Sequence, residues 1–268
     1  MAVPGMRRRS TWKRRRQEDS PRKRSHCHRR NRPMQDVTRR QAAACLAEAF
    51  ETGNSLAALP DDLVPDSVAE GDELAALMLE ELGLVTCGIR LALGLDGVRL
   101  AGPMLEGRLL PDGASLPLAV LRHAQATAAL VAVLAEALSE NGQGLPAFAA
   151  MHPAIDVTGS RFRDPPTSLG LLVADLCGLG HVAAGRRGTL PASSVAVTLA
   201  AARRRPRGTI VDLQAALALA VNAARQSGGL PAGAVLVVTG LSPAVRPEAG
   251  LSLTARFAEL GRARFNFV

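Results

Sequence analysis

Four side chains able to do chemistry share one stretch of this chain, residues 154–185: Asp156, Ser160, Arg161 and Asp175. A carboxylate such as Asp156 can ligate a cation or pass a proton, and it can equally cap a turn. A hydroxyl beside a guanidinium, as in Ser160-Arg161, can hold a substrate carboxylate; it can also be a purely structural pair. Asp175 either orients a loop at a site or serves the fold alone. Other chemistries lack their spacing. His123, His152 and His181 form no metal motif, and Cys27, Cys45, Cys87 and Cys177 show no CxxC pairing, so neither a disulfide framework nor a zinc site is expected. No GxGxxG or GxxxxGK[ST] signals a nucleotide site.

The elements that must position these residues follow from periodicity. Thr38-x-x-Gln41 is a capping-box pattern ahead of a helical run that stops at Gly53. Ser67-x-x-Glu70 opens a second helix, with Leu74, Leu77, Met78 and Leu82 on one face and Gly83 as its stop. From Cys87 short apolar segments alternate with Gly, Pro and Asp turns. Strands are expected at 95–100, 129–134, 154–158, 194–199 and 234–239, and one long helix at 212–226. The C-terminus alternates strictly: Leu251, Leu253, Ala255 and Phe257, then Ala263, Phe265 and Phe267, about a turn at Glu259-Leu260-Gly261. That is a hairpin with one buried face. The fold class is therefore α+β, with too few helices for a doubly wound sheet.

Composition bounds the rest. The chain has 268 residues, 47% of them apolar, enough for a core of ordinary size. Only 3% are aromatic and none is Tyr, so Ala, Leu and Val must fill that core. No apolar run reaches the length of a membrane span, and no membrane partner is expected. The net charge of +8 is unevenly placed: residues 1–33 carry 13 Lys/Arg against 2 Asp/Glu, whereas the body carries 19 Arg against 22 Asp/Glu and no Lys. The head, with no apolar segment, reads as disordered. It is an upstream extension of a frame starting at Met34, a polyanion tether, or a targeting peptide. Nucleic acid would be a partner only through this head. The division is a basic head at 1–33, a helical portion at 34–86 and a β-rich domain at 87–268. A cytoplasmic location is expected.

Two blocks carry a family resemblance. AIDVTGSRFRDPPTSLGLLVADLCGLGHVAAG, residues 154–185, resembles the stretch of 2-keto-4-pentenoate hydratases in which an acidic residue precedes an "SR" pair, followed by an "AD" pair and a Gly-ended strand. GLPAGAVLVVTGLSPAVRPEAGLSLTARFAELGRARFNFV, residues 229–268, is similar to the closing pattern of that branch of the fumarylacetoacetate hydrolase superfamily. The resemblance implies a mixed β-roll with an N-terminal helical portion and one long helix packed on the sheet. It also implies hydration, or decarboxylation, of a short unsaturated 2-oxo acid chelated by a divalent metal, Mg or Mn, in a homo-oligomer.

At its ligand positions the chain departs from that pattern. The family's E-x-E pair aligns with Thr127-Ala128-Ala129, so Thr127 and Ala129 stand where carboxylates are expected. Asp156 is the one acidic ligand position kept. Glu136 and Glu140 replace the pair only if the alignment slips; otherwise they are solvated charges. The family Lys aligns with Arg90, which keeps the charge but cannot act as a base. The resemblance implies catalytic roles for Asp156 and Ser160, and substrate-binding roles for Arg90, Arg161, Thr239 and Gly240. The expected function is a hydratase-like lyase with a degenerate metal site. The alternatives are a catalytically silent member that binds a 2-oxo acid or acts as a scaffold subunit, and a polyanion binder working through the head. Arg203-Arg204-Arg205 with Arg207 reads as a solvated hairpin or loop.

Overall fold

The computed structural model describes residues 35–268, apart from 192–193, 202–203 and 205 and the side chain of Asp96. The basic head, Arg203 and Arg205 lie outside the described residues. Helix α1 (Asp36–Thr52) begins one turn earlier than its capping box predicts. Thr38 sits inside it, Gln35 stands at the N-cap without a side-chain bond, and Asp36 complements the dipole in the first turn. Gly53, at φ 70°, ends it in the left-handed conformation. Helix α2 (Val68–Glu81) does start at its box. The Ser67 hydroxyl accepts from the Glu70 N–H at 3.2 Å, and the Glu70 carboxylate accepts from the Asp66 N–H at 2.8 Å.

Strands β1 (Thr86–Leu93) and β2 (Arg99–Leu105) form an antiparallel hairpin. The strand expected at 95–100 is mostly its turn, because Leu95-Asp96-Gly97 makes a single 3₁₀ turn and pairing resumes only at Arg99. Short strands β3 (Leu109–Pro111) and β4 (Ala114–Leu116) lead to β5 (Ala126–Leu134) and β6 (Phe148–Thr158). A one-and-a-half-turn helix, α3 (Leu169–Ala174), precedes β7 (Leu179–Ala184). Then come β8 (Val195–Ala201), β9 (Thr209–Val211), α4 (Leu213–Gln226), β10 (Val235–Val238) and the hairpin β11 (Ser252–Phe257) and β12 (Gly261–Phe267).

These strands make two mixed sheets. One has seven strands in the order β2-β1-β10-β5-β6-β7-β3, and the other five in the order β4-β12-β11-β8-β9. The β1–β10 pair is parallel, and α4 is the crossover that the parallel connection needs just before β10. Its buried stripe of Leu213, Ala216, Leu217, Ala220, Val221 and Ala224 packs into a core shared with the inner faces of both sheets. The alternating residues of the C-terminal hairpin, Leu253, Ala255, Phe257, Ala263, Phe265 and Phe267, line the same core. On its opposite face the seven-stranded sheet buries a second core. There α1 and α2 supply Leu46, Leu74 and Met78 against Ala129, Val131, Ala154, Val182 and Val237. Both faces of this sheet are therefore apolar. Gly88 shows how closely its parallel strands approach: a Cβ there would stand 1.9 Å from the Val235 carbonyl oxygen.

A buried ion pair as the candidate functional site

Arg90, two residues beyond Gly88, crosses the helix-covered side of the seven-stranded sheet. Its Nε and Nη2 donate to the two carboxylate oxygens of Asp156, each at 2.7 Å. Its Nη1 donates to the Cys177 carbonyl at 3.0 Å. Each residue is 1% exposed. Burial works against the guanidinium charge, but the Asp156 carboxylate outweighs it and holds Arg90 above its ordinary pKa. The third acceptor comes from a strained turn. Leu176, Cys177 and Gly178 have φ values of 53°, 51° and 67°, a left-handed run that is costly for the first two. The turn buries Leu176 and aims the Cys177 carbonyl at Arg90. The Cys177 thiol is pushed up to about 12 by burial, the nearby Arg90 charge notwithstanding, so it is no nucleophile.

Thr127 faces Asp156 across the β5–β6 ladder. Its hydroxyl accepts from the Gly240 N–H at 3.1 Å. One residue on, the Ala128 N–H donates to the Ser242 hydroxyl at 2.9 Å. Ala126 and Val245 then exchange two backbone bonds of 2.8 Å. These residues of β5 thus anchor the loop that follows β10. Ala129, fully buried in the second core, offers no donor atom. Thr239 is also occupied: its hydroxyl donates to the Leu91 carbonyl and its own carbonyl accepts from Arg99. Glu136 and Glu140 are exposed after the end of β5.

A second cluster forms around Asp175, which is fully buried at the end of α3. Its carboxylate accepts from the Ser160 hydroxyl at 2.7 Å and from Arg161 Nε at 2.5 Å, and Arg161 N–H adds a third bond. Arg161 Nη1 donates to the Leu179 carbonyl at 2.8 Å, and Nη2 to the carbonyl of Asp175 itself. All three side-chain nitrogens of Arg161 therefore donate to protein acceptors, and Ser160 donates to Asp175. Desolvation raises the Asp175 pKa, against the lowering effect of Arg161 and Ser160. Next to this cluster Arg108 donates to His181 Nε2 at 3.2 Å and stacks on Phe50, 4.7 Å from its centroid. Burial, with a smaller push from Arg108, lowers His181 to about 4.

The sequence reading grouped Asp156, Ser160, Arg161 and Asp175, but the structure divides them into two separate ion pairs, Arg90–Asp156 and Arg161–Asp175. The Cys177 carbonyl and the Arg108–His181 contact carry no motif; two consecutive non-Gly residues before Gly178 give no sequence signal for a left-handed turn. The residues present do not suit a hard divalent cation, which asks for several free oxygen ligands. Thr127 and Ala129 provide no carboxylate, and both Asp156 oxygens are held by a guanidinium whose charge would repel a cation. Among the described residues no group of three His, Cys, Asp or Glu side chains could hold a metal.

No protein-family profile and no curated protein sequence matches the chain. Solved structures do match. The 4-oxalocrotonate decarboxylase from Pseudomonas putida G7, complexed with calcium and acetate, is 19% identical, covers 89% of this chain and 100% of its own, and superposes with a TM-score of 0.69. The same decarboxylase with magnesium and adipate is 18% identical over 86% of this chain and 98% of its own, at a TM-score of 0.68. The fumarylpyruvate hydrolase from Pseudomonas aeruginosa, in complex with Mn²⁺ and pyruvate, is 13% identical over 67% of this chain and 87% of its own, at 0.51. At such identities the likeness is one of architecture, and it agrees with the resemblance carried by residues 154–185 and 229–268: the chain shares the mixed α+β fold of these enzymes.

Proposed function

We propose that this chain is a catalytically silent relation of the 2-oxo-acid enzymes that share its fold, and that it serves as a binding or scaffold subunit in a homo-oligomer. The observation that supports this reading is the bidentate Arg90–Asp156 pair at 2.7 Å, buried where the resemblance implies a cation and a Lys. A divalent metal would bring open coordination positions for the carboxylate and oxo group of a substrate. Each nitrogen of the guanidinium here already donates to Asp156 or to the Cys177 carbonyl, and the group stays protonated. Arg90 neutralises Asp156, and Thr127 ties down the loop after β10.

The full-length protein incubated with 2-hydroxypenta-2,4-dienoate, with and without Mg²⁺ or Mn²⁺, is expected to leave the substrate absorbance unchanged. Calorimetric titration with either ion is expected to show no stoichiometric site. Metal-dependent turnover abolished by Asp156→Asn would overturn the reading.

A second reading is a hydratase-type lyase acting on a short unsaturated 2-oxo acid through an altered site. The retained Ser160–Arg161–Asp175 cluster favours it. Metal-independent loss of the dienoate that disappears in Asp175→Asn, with the melting curve retained, would select this reading over the first.

A further inference from the structure

At the mouth of the space between the two sheets, away from both ion pairs, lies a cavity of about 540 Å³. That is within the size range of small-molecule sites. Its wall is apolar: Val197 and Leu199 from β8, Leu251 and Leu253 at the start of β11, and Val245 from the loop pinned to β5. Its rim is cationic. Arg204 and Arg207 come from the β8–β9 connection and Arg246 from the pinned loop, with Glu248 as the one carboxylate among the described lining residues. None of these three arginines forms an ion pair among the described residues. Three guanidinium groups against one carboxylate around an apolar hollow select a ligand with a negative head and an apolar body. The 1–33 head carries the wrong sign to fill it, with 13 basic residues against 2 acidic ones.

We propose that this cavity binds an apolar-bodied carboxylate, such as a medium-chain or aryl acid, with its carboxylate held by Arg207 and Arg246 and its body against Val245 and Leu253. Residues 243–246 form one side of the hollow, and the Thr127 hydroxyl that holds Gly240 gives the departure from the family pattern at that position a positive use. The site is independent of the silence or activity of the Arg90–Asp156 centre.

Calorimetric titration of the full-length protein with decanoate, decan-1-ol and decylammonium tests the proposal. Decanoate is expected to saturate near one per chain and to bind at least about tenfold more tightly than the alcohol, a difference of about 1.4 kcal/mol, with no site for the amine. The double variant Arg207→Glu/Arg246→Glu alters two exposed residues and is expected to weaken decanoate at least about tenfold with an unchanged melting temperature. Val245→Trp, which fills the hollow without touching its charge, is expected to abolish binding; should that variant not fold, the double reversal carries the test. Equal binding of decanoate and decanol would overturn the proposal. So would decanoate binding untouched by the double reversal, which would place it on the basic head. Sedimentation showing self-association broken by that reversal, with no decanoate binding by the parent, would assign the hollow to a second copy instead.

Discussion

At the scale of single residues, the Arg90–Asp156 pair decides most. Bringing both charges out of water costs several kcal/mol, and only the bidentate geometry and the Cys177 carbonyl offset it. Arg90→Ala or Asp156→Ala is therefore expected to destabilise the protein by about 3–5 kcal/mol, read from urea unfolding, because each leaves a lone buried charge. Arg90→Ala with Asp156→Ala together should lose far less than the sum of the two. A strictly additive double-variant cycle would mean that the pair does not interact as described. His181 gives a pH signature of its own. Its folded pKa of about 4 lies below the ordinary histidine value. The unfolded chain then binds the proton first, and stability present above about pH 6.5 is lost as pH falls toward 4. His181→Gln is expected to flatten that part of the stability profile, measured by denaturant midpoints across the range. Asp156, Ser160, Arg161 and Asp175 could be picked out of the sequence because they stand in the block, residues 154–185, that carries the family resemblance. Their partners could not, since Arg90 lies 66 positions from Asp156 and the link runs through the sheet.

At the scale of elements, local chemistry and long-range pairing divide in the same way. The Ser67 cap of α2, the apolar stripe of α4 and the alternation in β11 and β12 are all local and were legible. Strand β1 was not expected. GIRLAL is a nearly continuous apolar run carrying a charge, and Arg90 has a place there only because Asp156 sits on a distant strand. The strand expected at 95–100 failed because a turn, Leu95–Gly97, outweighed its apolar ends. The post-β10 loop leads to a prediction at this scale. Thr127→Val removes the acceptor for the Gly240 N–H and should cost about 1 kcal/mol of stability. It should also loosen residues 240–246, seen as faster amide exchange at Gly240 and Leu241. Unchanged exchange there would show that Ala128 and Ala126 anchor the loop without it.

At the scale of the whole molecule, the seven-stranded sheet is a wall between two cores, one shared with the five-stranded sheet and α4, the other with α1 and α2. A chain begun at residue 87 would expose Val131, Val182 and Val237 on one face of that wall. It is expected to aggregate or to unfold without a cooperative transition, followed by circular dichroism on heating. A sharp transition in the truncated chain would mean that the sheet and α4 suffice as a folding unit. The α+β class and the long helix were legible because each rests on periodicity. The layering of two sheets was not, since it depends on the β1–β10 and β5–β10 pairings across more than a hundred positions.

The guanidinium at the centre of the second core has one more consequence. A cation that is part of the polypeptide cannot be sequestered, exchanged or starved away: EDTA at any concentration leaves it in place, and the fold's interior charge balance is set during synthesis rather than by mineral supply.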